Sequence, residues 1–186
     1  WILKSKLSNI EPFIINNKID IESDNEYKIK LDIYKSLGIT TVDCSAKHGD
    51  NLKDLIDFLK QKSVLFVGNS GAGKSTLSSK LIGKKLKTNS LSNEQGVHTT
   101  SISSLYELQN NTKIIDSPGM RDIEIKNYSK DHIISGFEEI LEASKGCKFT
   151  NCNHINNKGC FVIESLVNGQ INQSRYNNFI KFRDNG

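Results

Sequence analysis

Val64-Leu65-Phe66-Val67-Gly68-Asn69-Ser70-Gly71-Ala72-Gly73-Lys74-Ser75-Thr76 is the stretch that decides the fold. Its four apolar residues predict a strand of the buried parallel kind. A glycine-rich loop follows directly, and a helix is expected from about Lys74. Gly68, Gly71 and Gly73 permit backbone conformations and close approaches that a Cβ would obstruct. Successive N–H groups of the loop, through Asn69, Ser70 and Ala72, then point at a β-phosphate, and the helix N-terminus reinforces them. Lys74 is placed to neutralise β/γ oxygens. The Ser75 hydroxyl completes a Mg²⁺ shell made mostly of water and phosphate oxygens, with Thr76 next in the first turn. A strand before and a helix after distinguish such a site from a simple glycine-rich turn.

A second segment selects the base. Phe13-Ile14-Ile15 predicts a strand that delivers Asn17-Lys18-Ile19-Asp20 to the loop at its C-terminal end. The Asp20 carboxylate can accept from both guanine N1–H and the exocyclic N2 amine, a bidentate charge-assisted pair. Adenine offers neither donor and would leave that carboxylate unpaired, which a site built to hydrogen-bond rejects strongly. Asn17 is expected to hold the other base edge and the loop, and the Lys18 stem to cover the ring. Ser45-Ala46-Lys47 follows another predicted strand, Ile39-Thr40-Thr41-Val42, and its Ala46 N–H can donate to guanine O6.

The order of these segments is unusual, since the base is read before the phosphate loop. In ordinary small GTPases the phosphate loop opens the domain and the base-reading loops close it, so this order is that of a circularly permuted GTPase. The remaining signals alternate between helix and strand. Helices are expected near Glu26–Leu37, over Leu52–Leu59 with its Leu52, Leu55, Ile56, Leu59 stripe, and near Asp131–Ala143. Strands are expected near Ser101–Leu108 and at Lys113-Ile114-Ile115, leading into Asp116-Ser117-Pro118-Gly119. The fold class is α/β, a doubly wound and mostly parallel sheet with its loops at the carboxyl ends of strands, plus a small helical metal domain. The expected division is 1–135 for a truncated GTPase domain and 136–186 for the metal domain. Five strands are legible where such a sheet has six, and the missing central strand is expected before Trp1.

The cysteines separate cleanly. Cys44 follows a predicted strand and reads as a small buried hydrophobe. Cys147, Cys152, His154 and Cys160 place four tetrahedral-type ligands within 14 residues. Three thiolates and an imidazole with no open position describe a structural zinc site, which supplies folding free energy that so short a segment lacks. A disulfide would leave one of the three cysteines unpaired. Charge is uneven as well. The net charge of +4 lies wholly in residues 143–186, where Lys145, Lys148, Lys158, Arg175, Lys181 and Arg183 face only Glu164 and Asp184. A basic module beside a neutral domain suggests contact with phosphate backbones. No stretch approaches the roughly 18 apolar residues that a membrane span requires.

With these motifs in order, the chain resembles the ribosome small-subunit-dependent GTPase A family of circularly permuted GTPases. The resemblance rests on Asn17 to Asp20, Ser45 to Lys47, Gly68 to Thr76, Gly96-Val97-His98-Thr99-Thr100, Asp116 to Gly119 and the Cys/His cluster. Val97 departs from it, standing where the family usually has a basic residue. The resemblance implies a GTP-hydrolysing factor in late assembly of the small ribosomal subunit, stimulated by that subunit. It also implies an N-terminal OB-fold, which no part of this chain can form. Met120 stands where Ras-like enzymes carry the glutamine that orients the attacking water. His98 is therefore the catalytic candidate, as it is in the family. Thr100 with Ser75 would ligate Mg²⁺, Asp116 a metal-bound water, and Gly119 would sense the γ-phosphate. Expected partners are GTP or GDP and the small subunit with its rRNA. No membrane and no second copy of the chain are expected, and the expected location is the cytoplasm. The alternative is a non-enzymatic, guanine-nucleotide-gated module that binds RNA or ribosomes.

Overall fold

The computed structural model describes residues 1–22, 24–83, 104–108, 110–116, 125 and 128–185. His98, Thr99, Thr100, Gly119 and Met120 lie outside the described residues. The chain forms two compact units, one of Phe13–Ile29 and Thr40–Asp122, the other of Trp1–Pro12, Lys30–Ile39 and Ile123–Gly186. This partition does not follow a linear cut at residue 135. Helix α2 (Asn25–Ser36) contributes residues to both units.

The first unit carries the sheet. β1 (Ile14–Asn17) pairs in parallel with β2 (Thr41–Cys44), Ile15 opposite Val42 and Asn17 opposite Cys44. β3 (Ser63–Leu65) pairs in parallel with β5 (Lys113–Asp116), and β4 (Ser104–Glu107) runs antiparallel along the far side of β5. Among the described residues the strands thus fall into two pieces, ordered β1-β2 and β3-β5-β4.

One core serves both pieces. Val64 and Ile114 of the sheet meet Leu52, Leu55 and Leu59 of α3 (Leu52–Leu59) and Leu77 and Leu81 of α4 (Lys74–Ile82), with Cys44 and Ala46. The α3 leucines fall at the spacing that turns one helical face inward. Leu55 and Leu59 are fully buried, each burial worth about 1.5–3 kcal/mol. The buried Thr112 fixes the helix end, its Oγ1 donating to Leu59 O at 2.7 Å. The expected fully apolar strand is shorter and only half covered. It ends at Leu65, and because strand side chains alternate between faces, Val64 is buried while Leu65 stays 39% exposed.

The second unit is helical: α1 (Ile2–Leu7), α5 (Lys130–Ser135), α6 (Glu138–Ser144), α7 (Phe161–Val167) and α8 (Gln173–Asn185). Leu3, Ile133, Phe137, Ile140, Val162 and Phe179 share its core, with the Phe137 and Phe179 rings edge to face at 5.6 Å. The single helix expected near Asp131–Ala143 is two. Gly136 ends α5, and a Cβ there would lie 2.2 Å from Leu3 Cδ1. The break therefore accommodates a side chain from the far end of the sequence. Arg175 also differs from its expected place on a basic surface. It is buried, donating to Glu139 through Nε at 2.6 Å and Nη2 at 3.2 Å, with its guanidinium 4.5 Å from the Phe137 ring centre. Breaking such a buried pair from one side costs about 3–5 kcal/mol, so Arg175 is committed to the fold. The Arg183 side chain is likewise mostly covered, bonding Asp184 and Asn153 O.

Candidate nucleotide and metal sites

Ladder pairing between β1 and β2 stops at Asn17 and Cys44, and the chain turns out of the sheet at Lys18, whose φ is 69°. Ile19 N–H to Cys44 O at 3.3 Å and Ile21 N–H to Lys18 O at 3.0 Å close that turn. Asn17 is thereby aimed at two other loops. Its Nδ2 donates to Ala72 O at 3.0 Å, and its Oδ1 accepts the Ala46 N–H at 2.9 Å. One amide joins the tetrad, the phosphate loop and the Ser45–Lys47 loop, segments separated by 55 and 29 residues. Lys18 Nζ adds a bond to Gly71 O at 2.6 Å. The Ala46 N–H, expected to face guanine O6, is given to Asn17.

This bridge also explains one glycine. Gly73 has a φ of +90°, and a Cβ on it would lie 2.3 Å from Asn17 Nδ2. Gly73 caps α4 without a side-chain hydrogen bond, so it offers the helix's leading N–H groups no oxygen of its own. Lys74 Nζ donates to Gly68 O at 2.6 Å and Asn69 O at 2.8 Å. Ser75 and Thr76 follow, exposed, in the first turn of α4. The β3–β5 register sets Leu65 opposite Ile115, which brings the start of the phosphate loop and the backbone of Asp116 to one sheet edge.

Asp20 is prepared electrostatically. A hydrogen bond from the Ser45 hydroxyl holds its carboxyl below the ordinary range against some desolvation, with help from its own N–H, His48 and Lys47. Ser45 is fully buried, and its Oγ accepts the His48 N–H at 3.2 Å. His48 was not singled out from sequence, yet its Nε2 lies 3.5 Å from Asp20 Oδ2. Its position directly after Lys47 was the available signal.

The metal cluster is assembled locally. The ligand atoms of Cys147, Cys152, His154 and Cys160 all lie within 4.8 Å of one another, and these residues could hold one metal ion. Cys147 Sγ is 3.6 Å from His154 Nδ1 and 4.0 Å from Cys160 Sγ, and Cys160 Sγ is 3.7 Å from His154 Nδ1. All three thiols are free of disulfides, as is that of Cys44, fully buried as expected. The Cys147 thiol is held below its ordinary value. Burial opposes this, but the Val162 and Phe161 N–H groups at the start of α7 outweigh it. Burial pushes Cys160 up to about 11 and the His154 imidazolium down. His154 has a left-handed backbone, φ 57°, fixed by Tyr176 Oη donating to its carbonyl at 2.6 Å. Tyr176 was another residue the sequence did not flag.

Parallel strands, a glycine-rich loop entering α4 and a base-reading loop earlier in the chain define a circularly permuted P-loop GTPase fold. The RsgA GTPase family matches residues 1–126, and the chain belongs to that family. It is similar to "Small ribosomal subunit biogenesis GTPase RsgA" of Actinobacillus succinogenes, 34% identical over 96% of this chain and 53% of that protein. The protein of the same name from Klebsiella pneumoniae is 33% identical over the same shares. The chain thus spans about half the length of the curated relatives it matches. Among solved structures, YjeQ from Thermotoga maritima superposes with a TM-score of 0.76 at 26% identity, over 98% of this chain and 63% of that one. YloQ, a circularly permuted GTPase, shares the fold with a TM-score of 0.73 at 24% identity, over 98% and 59%.

Proposed function

We propose that this chain is the nucleotide- and metal-binding part of a GTP-hydrolysing factor acting late in small-ribosomal-subunit assembly, its turnover stimulated by the subunit. The observation that carries the nucleotide half is the Asn17 bridge, which locks the guanine-reading loop onto both the phosphate loop and the Ser45–Lys47 loop. With Asp20 already held as a carboxylate, little reorganisation is needed to receive guanine. The proposed GTP contacts are Asn17, Lys18 and Asp20, then Ser45, Ala46 and Lys47 around the base, and Gly68 through Thr76 around the phosphates, with Asp116 and Gly119 toward the γ-phosphate. Ser75, Thr100 and Asp116 would hold Mg²⁺, which neutralises charge on β and γ oxygens when bound. His98 is proposed to position the attacking water or carry its proton, because Met120 cannot hydrogen-bond it.

The proposed metal is zinc. Zinc–sulfur bonds of about 2.3 Å and zinc–nitrogen bonds of about 2.0–2.1 Å in a tetrahedron give S···S edges of about 3.8 Å and S···N edges of about 3.5 Å. The separations among Cys147, His154 and Cys160, 4.0, 3.6 and 3.7 Å, fit that size, and the Cys152 sulfur lies within 4.8 Å of each. Residues 136–186 would carry the metal ligands and residues 1–135 the nucleotide-handling loops. The proposed partner is the small subunit through its rRNA, met in the cytoplasm by a single copy of the chain. Two named relatives are small-ribosomal-subunit biogenesis GTPases, which supports this partner. Among the described residues no helix is long and apolar enough to cross a membrane.

Competition titration of the intact protein tests the nucleotide. GTP and GDP should compete, ATP should not, and Asp20→Asn should favour xanthosine nucleotides, whose C2 oxygen can accept from the new amide. Equal binding of ATP and GTP would refute the assignment. Met120 favours a second possibility, a nucleotide-gated module without turnover. Multiple-turnover phosphate release, with and without small subunits, separates the two.

A further inference from the structure

The metal cluster has an outer surface that coordination does not explain. Cys147 and Cys160 turn their sulfurs toward the cluster, and Lys148 N–H donates to Gly159 O at 2.9 Å, tying the segments that carry them. Positions flanking the two cysteines are occupied by a glycine on one segment and a large side chain on the other. A Cβ on Gly146 would lie 2.8 Å from the Phe161 ring, and one on Gly159 would lie 2.9 Å from Lys148 Cβ. The Phe161 ring and the Lys148 stem therefore lie against the glycine backbone of the facing segment. Phe149 extends this surface, with Lys148 Nζ 5.5 Å from its ring centre.

Both aromatic rings are open to solvent, Phe149 at 47% and Phe161 at 38%. An exposed ring offers a face on which a planar group can stack. Residues 145–163 contain Lys145, Lys148 and Lys158 and neither Asp nor Glu; Lys145 is paired with Glu142, and Lys148 and Lys158 sit on the two tied segments. Flat aromatic faces among lysines of one sign suit a polyanion whose units carry flat faces of their own. An unpaired nucleic-acid strand meets that description, since its bases stack on aromatics and its phosphates pair with cations. A duplex hides its base faces, and a protein surface has no comparable repeat of charge and ring.

We propose that this outer face is a stacking platform for an unpaired RNA base, with Phe149 as the ring and Lys148 and Lys158 as phosphate partners. The proposal deepens the function above and rests on its assignment of rRNA as partner. It adds a strand state and a contact residue that the basic charge alone does not specify.

The test uses the whole chain, metal-loaded, with a fluorescein-labelled 12-nucleotide single-stranded RNA and a duplex of the same sequence. Phe149→Ala should weaken the single strand about 5- to 100-fold, with an unchanged salt slope. Phe149→Trp should restore binding, and its indole fluorescence should be quenched by the strand. Lys148→Gln should lower the salt slope by about 0.7. Metal content measured on each variant guards against a folding defect. Equal binding of wild type and Phe149→Ala, or equal binding of strand and duplex, would overturn the platform while leaving an RNA partner in place. No binding of either RNA would instead overturn the rRNA assignment. If Phe149→Ala spares the oligonucleotide but weakens binding to intact small subunits, the face belongs to a ribosomal protein and stacking is refuted.

Discussion

The two candidate sites are built in opposite ways. The nucleotide site gathers Asn17, Ala46 and Ala72 from separate segments, and its geometry is largely backbone, set by strand register and by glycines of positive φ. The metal cluster draws four side chains from 14 consecutive residues. It needs the helical unit around it less for assembly than for second contacts, such as Tyr176 on the His154 carbonyl. A site made by tertiary register is damaged by small steric changes far from its chemistry. A local cluster tolerates those changes but depends wholly on its ligands.

The largest effect that would break this comparison is loss of a ligand. Cys152→Ser, or a strong chelator, should abolish stoichiometric metal and unfold the helical unit, since ligation supplies folding free energy. Guanine-nucleotide affinity should survive. Metal analysis, circular dichroism and a nucleotide titration on one sample decide it, and parallel loss of both sites would show that the units fold as one.

His98→Ala should lower single-turnover hydrolysis on the order of 10²-fold while leaving GTP affinity unchanged. Unchanged hydrolysis, alone and with small subunits, would remove His98 from the chemistry. A similar magnitude is expected between the units. Small-subunit affinity should differ about 5- to 150-fold between GDP and a non-hydrolysable GTP analogue if the sites are coupled. Equal affinities at fixed salt would mean two sites joined without a switch.

Gly73→Ala sharpens the contrast at a smaller scale. The new methyl would meet Asn17 Nδ2 in a backbone conformation unfavourable to alanine, costing about 1–3 kcal/mol. Calorimetric GDP affinity should fall while metal content stays intact. The smallest effect concerns protons. Asp20 has a depressed folded pKa, so its charged form is fully present above the ordinary carboxylate range and is lost only as pH falls through the lower folded value. GDP affinity should therefore stay flat from neutral to mildly acidic pH, and Ser45→Ala should move its acid fall to higher pH.

The legibility of each site followed from the same difference. The glycine-rich loop and the Cys/His spacing could be read directly, because backbone permissiveness and ligand chemistry depend on residue type over short distances. So could the α3 stripe, whose Leu52, Leu55 and Leu59 all reached the core. The breaks came where distant residues compete for space. Leu3 splits the helix expected near Asp131–Ala143 at Gly136. Glu139 and Phe137 draw Arg175 out of the basic surface, and His48 comes to Asp20 through a loop closure.

The sequence by itself determined the order of the nucleotide motifs, hence the permuted topology, and the identity of the candidate metal ligands. Both are written in residue types and spacings that act within a few turns of chain. Only the tertiary structure decided which polar groups are free to act. It gave the Asn17 amide to two loops, buried Arg175 and left Phe149 and Phe161 open. Exposure and hydrogen-bond partnership depend on which distant segments pack together, and no local pattern encodes that.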